Sequence, residues 1–284
     1  MMRTYKRATL TLFAVAILSI PSHATSVVVT VENLQPSDGF FFTPVWTGFH
    51  DGGFDLFDAE STASNPLETI AETGDTSPLS DLFTGAMNDD GTPRVDTVIF
   101  ATDGFGGAPV FDPGEKVSTT IRVSDPGSNR YLSFISMVIP SNDAFFGSPD
   151  PMAYEVFDIA GRLAAPLTVE IRGNGIYDAG TELNNGLGAA FSTVGGESTD
   201  ESMTVASHAE LDHFVDTSTP AGTTIQATID TDTLLARIQI RAVPEPSSVL
   251  LLGTGLVALG LVRSTRRIDQ ITSDGPIPSR VSMS

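Results

Sequence analysis

The chain has 284 residues, with 15 Lys and Arg against 35 Asp and Glu, a formal net charge of −20. So acidic a surface is expected to repel nucleic acid and anionic lipid. With no cysteine, the chain has no disulfide, cysteine nucleophile, thiolate zinc site or iron–sulfur cluster, while 26 Gly, 18 Pro and 40% hydrophobic residues favour an all-β domain of short strands joined by many turns.

In chain order, Met1 to Ala24 has the three parts of a secretory signal. Arg3, Lys6 and Arg7 are its basic region, Ala8 to Ile20 its apolar region, and Ser22-His23-Ala24 a small-x-small cleavage site after the breaker Pro21. The apolar run is too short to span a bilayer. Export through the Sec pathway and cleavage after Ala24 are therefore expected, with residues 25–242 as the folded domain. From Thr25 to Glu245 there are eight Lys and Arg against 33 Asp and Glu, a net −25.

Ser26 to Val31 is a β-branched run and the first expected strand. Phe40 to Phe49 is the second and holds the only Trp, Trp46, which reads as a core residue. Asn65 to Glu72 is an expected helix, with Asn65 as N-cap, Pro66 at the first helical position and Gly74 as its stop. Ser77 to Phe83 repeats the pattern, and both helices are expected on a long inter-strand connection. Asn88-Asp89-Asp90-Gly91 lacks the alternating acids and distal Glu of an EF-hand and reads as a turn. Val95 to Ala101, Lys116 to Val123, Tyr131 to Ile139, Met152 to Ile159, Leu167 to Arg172 and Leu234 to Arg241 complete a set of about eight strands. His208 and His213 sit five apart in a polar segment and read as an exposed loop. There is no Gly-x-Ser-x-Gly elbow and no His-Glu-x-x-His, so nothing points to an enzyme.

Pro140 to Glu182 carries the candidate site. Pro140-Ser141-Asn142-Asp143-Ala144-Phe145-Phe146-Gly147 follows an apolar run, and the stretch closes with Tyr177-Asp178-Ala179-Gly180-Thr181-Glu182. Both ends set carboxylates beside glycine in polar turns. Asp143, Asp178 and Glu182 could converge on one hard cation, since Ca²⁺ takes six to eight oxygens in a flexible arrangement. Gly180 lets the second loop curl, because glycine tolerates positive φ. The alternative is that these are solvated acids of an acidic protein.

These two motifs, in this order, resemble the spondin N-terminal domain. Thr43-Pro44-Val45-Trp46-Thr47-Gly48-Phe49-His50, Gly74-Asp75-Thr76-Ser77-Pro78-Leu79 and the closing Leu235 to Arg241 support the likeness. The resemblance implies an antiparallel β-sandwich of about eight strands, similar to C2 domains, with one bound Ca²⁺. Carried over by position, its metal-binding acids are Asp143, Asp178 and Glu182. Three departures stand out: Glu182 where animal members usually have Asp, Ala144 where they have Trp, and no cysteines where they have disulfides.

The chain changes character after Arg241. Val243-Pro244-Glu245-Pro246-Ser247-Ser248 is an extended linker, because two prolines forbid a regular helix. Ser248 to Val262 is apolar or small, and Arg263, Arg266 and Arg267 follow at once. Such a segment reads as a membrane helix oriented N-outside. The whole of residues 243–267 resembles the PEP-CTERM sorting signal of Gram-negative bacteria. That resemblance implies recognition by an exosortase at Pro244-Glu245-Pro246, membrane anchoring before processing, and delivery to the cell surface or extracellular matrix. Residues 268–284 are a polar tail beyond the arginines.

The sequence thus leads to a secreted, surface-sorted, non-enzymatic Ca²⁺-binding adhesion or matrix-binding protein of an exopolysaccharide-producing bacterium. Its expected partners are the exosortase and an exopolysaccharide or another matrix component. A glycan-active hydrolase and a purely structural matrix protein are the alternatives.

Overall fold

The computed structural model describes residues 24–101 and 104–243. The chain divides into two compact units, Met1–Ala242 and Val243–Ser284. The expected signal region before Ala24 lies outside the described residues. So do the expected apolar membrane segment, residues 248–262, and the sorting residues Pro244, Glu245, Pro246, Arg263, Arg266 and Arg267. Among the described residues no helix is long and apolar enough to cross a membrane.

The first unit is mainly β, built of two antiparallel sheets. One has four strands in the order β5 (Lys116–Ser124), β1 (Ala24–Asn33), β11 (Leu234–Ala242) and β8 (Leu167–Arg172). The other runs β10 (Ala206–Ser207), β9 (Ile176–Asp178), β7 (Ala144–Gly147), β6 (Tyr131–Ile139), β3 (Val45–His50) and β4 (Val95–Ile99), with β2 (Phe41–Phe42) also paired to β6. Strand alternation places the core. In β1, Val27, Val29 and Val31 point inward and are fully buried, while the residues between them face out. They meet Phe42, Phe49, Leu132, Phe134 and Phe146 of the second sheet in one cluster, which makes the two sheets a sandwich.

β6 breaks the alternation, with every residue from Leu132 to Ile139 buried. A strand covered on both faces reads as a continuous apolar run. Its second face is covered by α1 (Asn65–Thr73) and α2 (Ser77–Thr84). Leu67, Ile70, Ala71, Leu79 and Phe83 pack with Trp46, Ile135 and Phe145 in a second core. The two expected helices are therefore a third layer. The α1 cap is Ser64, one residue before the expected Asn65: its side chain accepts from the Leu67 N–H, and Gly74 ends the helix at φ 71°. Trp46 is a core residue as expected. Its indole N–H lies 2.9 Å from Asp96 Oδ2 and 3.1 Å from Ser80 Oγ, and its ring lies where a side chain on Gly48 would otherwise project.

Among the described residues there are eleven strands where the sequence predicts about eight. Pro44, which has no N–H to donate, splits the expected second strand into β2 and β3. Met152 to Ile159 is not a strand. Bounded by Pro151 and a turn at Asp158, it makes only single bridges, Tyr131↔Glu155 and Phe157↔Leu163. The added strands, β7, β9 and β10, hold four residues or fewer, too few to show a period of two.

Candidate functional site

Asp143 and Asp178 become neighbours because β7 lies between β6 and β9. Asp143 immediately precedes Ala144, whose partner across the ladder is Asp178. The Ala179 N–H donates to the Asp143 carbonyl at 3.2 Å, so the ladder extends one step into the second loop. Gly180, at φ 68°, then turns the chain back. A side chain there would fall 2.9 Å from the backbone of Met203 and Thr204, so only glycine fits this curl.

The curl aims backbone donors at Asp143, which is fully buried. Its Oδ2 accepts from the Thr181 N–H at 2.8 Å and the Glu182 N–H at 3.0 Å, and the Thr181 hydroxyl lies at 3.3 Å. Its Oδ1 accepts from the Asn184 amide at 2.6 Å, and that amide also donates to Asp178 Oδ2 at 3.0 Å. Asp178 Oδ1 accepts from the Gly180 N–H at 2.7 Å. Asn142 fastens the other side: its N–H donates to Asn184 Oδ1 at 3.0 Å, and its side chain reaches the Leu187 carbonyl at 3.0 Å and Glu182 Oε2 at 3.5 Å.

The charges repel within this knot. Burial, reinforced by the Asp178 carboxylate, raises the Asp143 pKa from 3.8 to about 6, against the pull of its hydrogen bonds. Glu72, at the end of α1, is also raised, chiefly by burial, with Glu182, Glu68 and Asp143 adding to it and the Thr181 hydroxyl opposing. Asp178 thus acts on Asp143, and Glu182, Glu68 and Asp143 act on Glu72, so negative charge accumulates around the second acidic loop.

The structure sets the Asp143 and Asp178 carboxylates on one shared donor, the Asn184 amide, whereas Glu182 joins them through its backbone N–H and its carboxylate reaches Asn142 Nδ2 at 3.5 Å. It adds Asn142, Thr181, Asn184 and Glu72. The first three lie within or beside the two motifs. Glu72 arrives only through the packing of α1, and nothing in the sequence around it marks it. Among the described residues no three His, Cys, Asp or Glu are grouped closely enough to hold a metal ion by themselves. Any cation here would also need amide and carbonyl oxygens. His208 and His213 share with Asp178, Asn184, Glu201 and Glu210 an open cleft of about 350 Å³. His208 is tied to the Gly173 carbonyl at 3.2 Å.

No curated protein matches the chain. Residues 242–267 match the PEP-CTERM protein-sorting motif, which implies an exported protein sorted to the cell surface. Residues 34–187, more than half of the chain, match Spondin_N over a span that includes both acidic loops, and the chain belongs to that family.

Proposed function

We propose that this is an exosortase-sorted matrix protein whose sandwich is a non-catalytic adhesion module, pinned at one end by a single Ca²⁺ held by Asp143, Asp178 and Glu182. A Spondin_N domain is a matrix-type domain, which supports the reading. Acidic loops at one end of a sandwich also fit a C2-like arrangement. The observation that supports the reading is the full burial of Asp143 beside Asp178, its carboxylate held by N–H groups of the second acidic loop.

The donor set fits a hard cation. It offers carboxylates and the Asn142 and Asn184 amide oxygens, which accept from the Gly186 and Asn142 N–H groups, and no sulfur ligand. The neutral Asn184 amide N–H₂ is the donor that Asp143 and Asp178 share, so their charges are bridged by hydrogen bonds and not neutralised. Calcium would supply charge neutralisation and a cross-link between the loops. The chain's own residues supply the frame: Gly180 sets the curl, and Asn142 and Thr181 tie the loops together.

The test is calcium titration by calorimetry on the full-length protein, with melts in Ca²⁺ and in EDTA. Ligand binding to the native state alone adds about 2.7 kcal/mol at a hundredfold excess over Kd. Asp178→Ala should abolish that gain and melt below wild type by the larger margin in Ca²⁺. A loss of equal size in EDTA would show a purely structural aspartate.

A further inference from the structure

The outer face of the four-stranded sheet differs in charge from the rest of the domain. Strand alternation and register place Lys116 and Arg122 of β5, Arg237 and Arg241 of β11, and Arg172 of β8 on this one face. These are five of the eight Lys and Arg between Thr25 and Glu245, whereas the face carries only two of the 33 acids, Glu32 and Glu170. A solubilising surface of an acidic protein would show the opposite bias.

Both acids are already paired. Glu32 Oε2 lies 3.3 Å from Lys116 and 3.4 Å from Arg237, and Glu170 lies 3.3 Å from Arg237 and 2.9 Å from Arg172. That row crosses all four strands at one end of the face. At the other end Arg122 stands opposite Ser26, and Arg241 opposite Val28. Neither makes an ion pair among the described residues, and both are exposed. From strand spacing and rise, their Cα atoms lie on the order of 12 Å apart. One carboxylate or phosphate cannot reach both, so the fitting anion is a repeating one. Between the two ends lies a row of hydrogen-bonding side chains, Ser118 and Thr30, which bond each other at 2.8 Å, Gln239, which accepts from Arg241 at 3.4 Å, and Thr168; their remaining donors and acceptors suit hydroxyl groups.

We infer that this face binds an acidic polysaccharide, its carboxylate or sulfate groups held by Arg122 and Arg241 and its hydroxyls by the central row. A second copy of the chain fits less well. Strands of ten, nine, nine and six residues give a projected face of about 540 Å², small beside the roughly 800 Å² per partner of a standard protein interface. It also presents Val28 as its single apolar side chain on β1 and no aromatic ring on its strands, whereas interface cores are apolar and aromatic. Guanidinium groups, by contrast, pair with planar anions through two parallel hydrogen bonds. The inference rests on the matrix-binding reading for where such a polymer is met, but not on the calcium site.

The test uses full-length protein in EDTA, so that failure of the calcium site cannot affect it. Binding is measured to immobilised alginate, a polyuronate, and to neutral dextran. The buffer contains 0.1 M salt, where a screening length of about 10 Å isolates this face from the acids elsewhere. Wild type should bind alginate and not dextran, and binding should weaken as salt rises further. Arg122→Ser with Arg241→Gln should weaken it about tenfold or more, at an unchanged melting temperature. Arg162→Ser, which removes an exposed cation off the face, should leave it intact. Equal alginate binding by the double variant, equal binding to dextran, or no alginate binding would overturn the inference. So would sedimentation showing that the double variant loses self-association instead.

Discussion

Two buried groups with opposite pKa shifts should nearly cancel in the pH dependence of stability, and one substitution should expose the other. His50 is fully buried. Its Nδ1 accepts from the Gly52 N–H at 3.0 Å and its Nε2 lies 2.9 Å from Ser133 Oγ, an arrangement that fits the neutral ring protonated at Nε2. Burial first, then the nearby Arg94 charge, lower its pKa from 6.5 to about 4, with Asp51 pulling the other way. As pH falls below 6.5 the unfolded chain gains a proton that the folded one refuses, so stability is lost on acidification until about pH 4. Asp143 runs in the reverse direction. Its folded pKa is about 6 against 3.8. Its contribution is fully present below 3.8 and is lost as pH rises through 6. Each pKa unit is worth about 1.4 kcal/mol, so each group contributes on the order of 3 kcal/mol over its window, with opposite slopes between pH 4 and 6. Asp143→Asn removes one slope. Urea unfolding in EDTA at pH 4, 5 and 6 gives the difference between variant and wild type at each pH, from which the other titrating groups and any fixed cost drop out. That difference should move against the variant by about 2 kcal/mol from pH 6 to pH 4. A difference constant within error would refute the desolvation argument for Asp143. His50→Asn, which keeps an acceptor for Gly52, should tilt the dependence the opposite way.

Asn184→Ala should destabilise the protein in EDTA by about 1–3 kcal/mol, since it leaves two carboxylates facing each other without their shared donor. Saturating Ca²⁺ should recover most of the loss in a thermal melt if the cation takes that position. Gly180→Ala combines strain at φ 68° with a clash against the Met203 and Thr204 backbone, so it should cost at least about 1–2 kcal/mol and weaken calcium binding measured by calorimetry. Trp46→Phe deprives Asp96 and Ser80 of their indole donor and should lower unfolding free energy by about 1–3 kcal/mol in urea titrations.

The sequence by itself determined the fold class, most of the long strands and the position of the two acidic turns. Those features are local. The alternating Val27, Val29 and Val31, the Ser/Asn-Pro helix starts, and the glycine beside each acidic turn each express a preference within a few residues. The tertiary structure decided what depends on distant partners. Glu72 joins the knot because α1 covers the second face of β6. The short strands β7, β9 and β10 exist because the sheet supplies their pairing, not because their own residues demand it. The gathering of five cations on one face follows from β1, β5, β8 and β11 lying side by side, with segments more than two hundred residues apart set in register. No local window contains that juxtaposition, because it is written in the order of the strands.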